Sequence, residues 1–226
     1  FSTGTLCRGQ YARGWHTQTI LGVVIEGIEL GRPIRRNQLF VYKLRVPVQH
    51  HGCLNKGRVL KIEPRKITIE HLLTHTSGLG DTFTAEFGEN PNGYRSNADY
   101  LPLFADDPLM FEPGDSFAYS NAGYVVLGLI IEESSGRDYY DYVRSNIFIP
   151  SGMIDTDSYA LEEDVANLAM GYTTQDIDGN ETGVLAANAP LMSGRGFAAG
   201  GGYSTPEDLF RFPNALLGHQ LLTADP

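Results

Sequence analysis

From Gly123 to Ile131 the chain is apolar at nearly every position, Gly-Tyr-Val-Val-Leu-Gly-Leu-Ile-Ile, with no polar stripe. A run that is apolar all round predicts a buried helix rather than an amphipathic surface one. Asn121 stands where the run begins. Glu132-Glu133-Ser134-Ser135-Gly136 ends it with a polar tail and a glycine suited to a C-cap. Just upstream, Pro113-Gly114 is a turn signal, because proline pre-sets φ and glycine accepts φ > 0. The stretch Phe111 to Asn121 therefore turns and leads straight into the helix. Its last three residues, Tyr119-Ser120-Asn121, set a phenol, a hydroxyl and an amide at the dipole-positive end.

Other elements are read in the same way. Val23 to Glu29 has the β-branched content of a strand. Thr68 is placed to N-cap a short helix containing Glu70 to Thr74. Gly80 to Asn97 is polar and rich in Gly and Asn, which predicts a surface loop. Ala98 to Phe104 reads as a helix interrupted by Pro102. Arg137 to Phe148 reads as an amphipathic helix with Tyr139, Tyr142, Val143 and Ile147 at helical spacing. Ala169 to Val184 reads as a hairpin turned by Asp178-Gly179. Thr205-Pro206-Glu207-Asp208 predicts a helix start, broken or kinked further on at Pro213.

Composition narrows the possibilities. A chain of 226 residues, 42% hydrophobic and 19% charged, is an ordinary globular chain able to bury a sizeable core. A net charge of −10 argues against nucleic acid or an anionic membrane surface as partner. No apolar run is long enough for a bilayer span, and no signal peptide is visible. The start at Phe1 implies a processed chain or a fragment. Two cysteines, Cys7 and Cys53, make no disulfide framework, and no motif implies a cofactor.

Several segments together resemble a known family. They are Phe111-Glu-Pro-Gly, Tyr119-Ser-Asn-Ala-Gly-Tyr124 and Leu127-Gly-Leu-Ile-Ile-Glu132, flanked by Ile67-Thr-Ile-Glu-His-Leu-Leu-Thr-His-Thr-Ser-Gly-Leu79. Ile147-Phe-Ile-Pro-Ser-Gly-Met153 with Thr156, and Gly200-Gly-Gly-Tyr-Ser-Thr-Pro-Glu-Asp-Leu209, continue the match. The set resembles the serine β-lactamase and penicillin-binding-protein family, in the branch of class C β-lactamases, D,D-carboxypeptidases and esterases. The resemblance implies an α/β (α+β) fold, a helical region packed on an antiparallel sheet with flanking helices. It treats residues 1–226 as one partial domain, with 67–226 matching well and 1–66 weakly. The chain ends before the Lys/His-x-Gly motif, so the C-terminal part of the sheet is expected to be missing. Members are often exported in bacteria, which implies a periplasmic or secreted protein.

By the same resemblance the substrate is a small molecule or peptide: an ester, a β-lactam or a D-amino-acid peptide, cleaved through an acyl-enzyme. A serine attacks, the lysine of Ser-x-x-Lys takes its proton, and the tyrosine of Tyr-x-Asn assists. Tyr119 is then the proton shuttle, and Asn121 holds the substrate amide or the lysine. An isolated Tyr-x-Asn is more simply a buried tyrosine beside a helix N-cap; here the flanking segments decide for the site. No Ser-x-x-Lys occurs in the chain: Leu44 stands where the serine is expected after Phe40, and Pro47 where the lysine is expected. A tyrosine acting as base near neutral pH needs its pKa lowered by about three units, roughly 4 kcal/mol. One cation about 4 Å away supplies that order of energy at an effective dielectric of about 20. Without it, Tyr119 is expected to stay protonated unless another base supports it. Paired reading-frame shifts, a deletion or decay of the gene between Phe40 and Gly57 would produce this local loss of pattern, and a non-catalytic relative that binds a ligand or partner in the same cleft is the alternative.

Other candidate chemistry is thinner. Cys53-Leu-Asn-Lys56 has the Ser-x-x-Lys spacing with a thiol, but Gly52 and the lack of helical period argue against a helix start there. Ser120, inside the Tyr-Ser-Asn motif, is read as facing away or capping, and Ser77 and Ser193 lack the Gly-x-Ser-x-Gly elbow. His71 and His75 lie four apart without the glutamate of His-Glu-x-x-His, and His50, His51 and Cys53 form a cluster without a partner. Asp176-Ile-Asp-Gly-Asn180 lacks the later ligands of a calcium loop and reads as a hairpin turn.

Overall fold

The computed structural model describes residues 67–222, together with the backbone of five short strands upstream. Strands β1 (Val24–Ile25), β2 (Leu44–Val46) and β5 (Arg58–Val59) form an antiparallel sheet in the order β1-β2-β5, with Val24 opposite Arg45 and Arg45 opposite Val59. β3 (Gln49–His50) and β4 (Cys53–Leu54) pair as a second antiparallel ribbon. The side chains of Cys53, Lys56, His50 and His51, and the proposed sequence defect between Phe40 and Gly57, lie outside the described residues.

The centre of the helical region is α3 (Asn121–Ser135), the apolar run expected to be buried. Ala122, Val125, Val126 and Leu129 have no exposed surface. They pack with Leu72 of α1 (Ile69–Leu73) and with Tyr100 and Leu101 of the 3-10 segment Asn97–Leu103. Gly136 ends α3 in the left-handed region at φ 65°, as expected of a C-cap. Gly128 lets two other segments touch the helix. A Cβ there would lie 2.6 Å from Ala198 Cβ and 2.7 Å from Asn97 Nδ2. The enclosed Asn97 accepts the Ala198 N–H through Oδ1 at 3.0 Å, joining the 3-10 segment to the loop around residue 198.

Several boundaries differ from expectation. The polar stretch after Gly80 contains a helix, α2 (Ala85–Glu89), capped by Thr84 and anchored by the buried Phe87. Pro102 does not interrupt its segment. The residues wind as a 3-10 helix from Asn97, opened by the Ser96–Asp99 capping box. After α4 (Tyr139–Val143) the backbone widens into a π turn over Arg144–Phe148. There the buried ring is Tyr140, not Tyr139 or Tyr142; its hydroxyl donates to the Arg95 carbonyl at 2.8 Å, and the Arg195 guanidinium lies 3.6 Å over its face.

The expected hairpin is formed by β6 (Tyr172–Gln175) and β7 (Glu181–Ala187), with Gly179 at φ 80°. Asp176 Oδ1 accepts the N–H groups of Asp178 and Asn180, so the acidic stretch is a turn clasp. The final helix, α5 (Pro206–Leu217), starts at Thr205 as read but continues through Pro213. Leu209, whose carbonyl loses its partner at Pro213, lies on an exposed face where water can replace it. Asp208, fully enclosed on α5, accepts from the Asp155 N–H and the Thr156 hydroxyl, both at 2.8 Å, and pairs with Arg211. The Met153–Thr156 and Gly200–Asp208 segments noted in the sequence thus clasp one another. No helix among the described residues is long and apolar enough to cross a membrane.

Candidate active site

Three short segments build the site: the end of α1 with its following loop, the turn through Gly114, and the first residues of α3. Backbone bonds lace the first two together. Gly114 N–H donates to the Thr76 carbonyl at 2.9 Å, Met110 N–H to Gly78 at 2.8 Å, and Ala118 N–H to His75 at 3.0 Å. Gly78, at φ 78°, lies so near the Phe111 carbonyl that a Cβ would come within 2.3 Å of its oxygen. Only glycine permits both that conformation and that approach.

Ser120 is the N-cap of α3, and Asn121 is the first helical residue. This corrects the simpler expectation that Asn121 is itself the cap. Ser120 Oγ accepts the Gly123 N–H at 3.1 Å and donates to the Gly80 carbonyl at 2.6 Å. With Ser120 enclosed, Tyr119 projects outward and is 61% exposed, while Asn121 is 7% exposed. The Tyr119 hydroxyl donates to Asn121 Oδ1 at 3.4 Å. The two residues singled out from the sequence are therefore brought together, one at the surface and one behind it.

Two neighbours had no such place in the sequence reading. Asp81 Oδ1 accepts from Asn121 Nδ2 at 2.9 Å, from Asn121 N–H at 3.3 Å and from Thr82 N–H at 2.7 Å. The His75 ring packs against Tyr119 with centroids 4.5 Å apart, and also meets Phe117 and Tyr124. His75 Nδ1 accepts the Ser120 N–H at 3.2 Å, so a neutral imidazole carries its proton on Nε2. In the sequence His75 drew notice only as a possible metal partner of His71. Here His71 instead completes the capping box of α1 with Thr68. Among the described residues no group of three His, Cys, Asp or Glu side chains could hold a metal ion.

The remaining serine candidates have structural roles. Ser77 is buried and accepts the Leu79 N–H, and Ser193 accepts the Tyr100 hydroxyl at 2.6 Å. Cations are placed elsewhere too. Residues 67–222 contain no lysine, since the chain's lysines are at 43, 56, 61 and 66. Each described arginine is engaged: Arg95 with Glu162, Arg137 with the Asp141 carbonyl, Arg144 with Asp157, Arg195 with the Ser158 carbonyl, and Arg211 with Asp208. Leu44, at the expected serine position, is in strand β2 rather than at a helix start.

The chain is similar to known proteins in sequence and fold. The family model described as Beta-lactamase matches residues 19–225. Penicillin-binding protein 4* of Bacillus subtilis is 36% identical over 211 residues, 82% of this chain and 46% of its own length. The structure of a penicillin-binding protein from Bacillus halodurans is similar at 37% identity and a TM-score of 0.62, covering 71% of this chain and 49% of that one. A D-amino acid amidase from Ochrobactrum anthropi, solved with D-phenylalanine, is similar at 30% identity and a TM-score of 0.57, covering 70% of this chain and 46% of that one. The chain spans about half the length of these relatives. With its α/β fold and serine-hydrolase-like sequence, it belongs to the β-lactamase family.

Proposed function

We propose that the Tyr119–Asn121 face is the acid/base and substrate-holding wall of an acyl-transfer site, and that its ligands are esters, β-lactams or D-amino-acid peptides. The observation that carries this reading is the exposed Tyr119 hydroxyl beside an oriented amide, the two flanking the N-cap of a buried helix. A hydroxyl so placed can pass a proton between a nucleophile and a leaving group, and Asn121 Oδ1 can accept a substrate amide N–H. The D-amino acid amidase solved with D-phenylalanine supports the D-amino-acid class. On the same family grounds we place the protein outside the cytoplasm, periplasmic or secreted.

A second reading, binding without turnover, is favoured by one observation: the sequence has no Ser-x-x-Lys, and Leu44 and Pro47 stand where the resemblance places the serine and the lysine. Covalent trapping separates the two. The protein is incubated with a fluorophosphonate and, separately, with a penicillin, and any adduct is located by intact mass and peptide mapping. An adduct that is lost in Tyr119→Phe supports turnover. No adduct, with penicillin still bound in a Tyr119-dependent way, supports the second reading. Reaction or binding indifferent to both Tyr119→Phe and Asn121→Ser overturns the assignment of the site.

A further inference from the structure

We propose that Asp81 is a positioning residue of this site, which sets the amide of Asn121 so that its carbonyl oxygen, not its NH2, faces Tyr119. The proposal rests on the reading of Asn121 as a substrate-holding residue and adds what orients it. An asparagine side chain can turn over by 180° and exchange a donor for an acceptor at almost no cost in shape. An ionised carboxylate removes that freedom, because it only accepts hydrogen bonds. Asp81 Oδ1 lies 2.9 Å from Asn121 Nδ2, so one N–H of the amide is committed to it and Oδ1 is turned to the Tyr119 hydroxyl, 3.4 Å away. The same carboxylate oxygen accepts the backbone N–H of Asn121, at the end of α3 where the helix dipole favours a negative charge.

Asp81 is itself held from both sides. Thr82 N–H donates to it at 2.7 Å, and the preceding carbonyl of Gly80 accepts the Ser120 hydroxyl at 2.6 Å. Consecutive residues 80 and 81 thus dock on consecutive residues 120 and 121. This fixes the loop, the cap and the amide as one unit. The chemical consequence is a fixed polarity: Oδ1 accepts on the Tyr119 side, while one N–H of the amide is held by Asp81.

The test uses the side-chain amide resonances of Asn121 in 15N-labelled protein, identified by their loss in Asn121→Ser, together with the ring signal of labelled Tyr119. In Asp81→Asn we expect the Asn121 NH2 protons to exchange about tenfold faster, the factor that about 1.4 kcal/mol represents at 25 °C, and the Tyr119 signal to move. Thr84→Ala, which removes the cap of α2 and destabilises without touching the site, is expected to leave both at their wild-type values. Unchanged Asn121 and Tyr119 signals in folded Asp81→Asn would overturn the proposal, as would equal movement in Thr84→Ala. If Asp81→Asn does not fold, a through-hydrogen-bond coupling between Asp81 Cγ and Asn121 Nδ2 in the wild-type protein decides. Its presence supports the assignment, and its absence with rapid exchange refutes it. None of these readouts needs a ligand or turnover, so a negative trapping result leaves them intact.

Discussion

Replacing Ser120 with alanine removes two hydrogen bonds at once, and the structure allows the cost to be worked out. The first is the N-cap bond to Gly123 N–H, whose loss costs about 1 kcal/mol. The second is the bond to the Gly80 carbonyl, a partly buried acceptor left short of a donor at about 1 kcal/mol more. The sum, about 2 kcal/mol, is roughly a 30-fold change in the folded to unfolded ratio. In a thermal melt it corresponds to a fall in Tm of about 4–8 °C for a chain of this size. Ser120→Gly separates the two terms. Glycine costs only a few tenths at an N-cap, so that variant should lose about half as much, almost all of it from the Gly80 contact. Urea denaturation of the three proteins, followed by circular dichroism, gives both differences. If Ser120→Ala lies within about 0.5 kcal/mol of wild type, as an ordinary surface change would, the argument that Ser120 welds the loop to α3 fails.

Gly128→Ala should destabilise by about 1–3 kcal/mol through overpacking against Ala198 and Asn97, although alanine is the better helix former by about 1 kcal/mol; a denaturant midpoint above wild type would contradict this. Burial pushes the Asp208 carboxyl up, but hydrogen bonds from Thr156, Asp155 N–H and Arg211 together outweigh it and hold it below the usual carboxylate range. Its folded pKa is thus depressed, so its contribution is present above about pH 4 and is lost as pH falls through the folded value. Stability measured against pH should therefore fall less steeply on the acid side in Asp208→Asn, and an identical acid limb would refute the point. Glu132 has the opposite sign. Burial raises its pKa despite the Tyr139 N–H bond, so stability declines as pH rises from about 4 through the folded value. Glu132→Gln should remove that decline in the same pH series, and its persistence would show that another group is responsible.

What could be read from the sequence was local or chemically marked. The buried α3, its Gly136 cap, the Thr68 and Thr205 helix starts and the Asp178-Gly179 turn each depend on residues within a few positions of one another. The errors came where tertiary packing overrode composition. One buried ring, Phe87, fixes a helix in a stretch otherwise polar enough for a loop. Exposure of α5 at Leu209 and Pro213 lets a helix pass a proline that an enclosed helix would not tolerate. Tyr140 is the buried tyrosine because Arg195 and the Arg95 carbonyl meet it from elsewhere in the chain, which periodicity within Arg137 to Phe148 cannot reveal. The site divides in the same way. Tyr119 and Asn121 are two residues apart and were legible as a motif. Asp81 and His75 reach them across about forty positions of sequence, through bonds that only the folded chain creates.

Ligands are expected to meet the protein at Tyr119 and Asn121. The direct measurement is a titration of 15N-labelled protein with D-phenylalanine amide and, separately, with benzylpenicillin, following every assigned backbone and side-chain amide. Saturable shifts are expected in residues 75–82 and 117–123, including the Asn121 side chain, and they should be lost in the Tyr119→Phe, Asn121→Ser double variant. Shifts confined to the β6–β7 hairpin or α5, or shifts that survive the double variant, would contradict it.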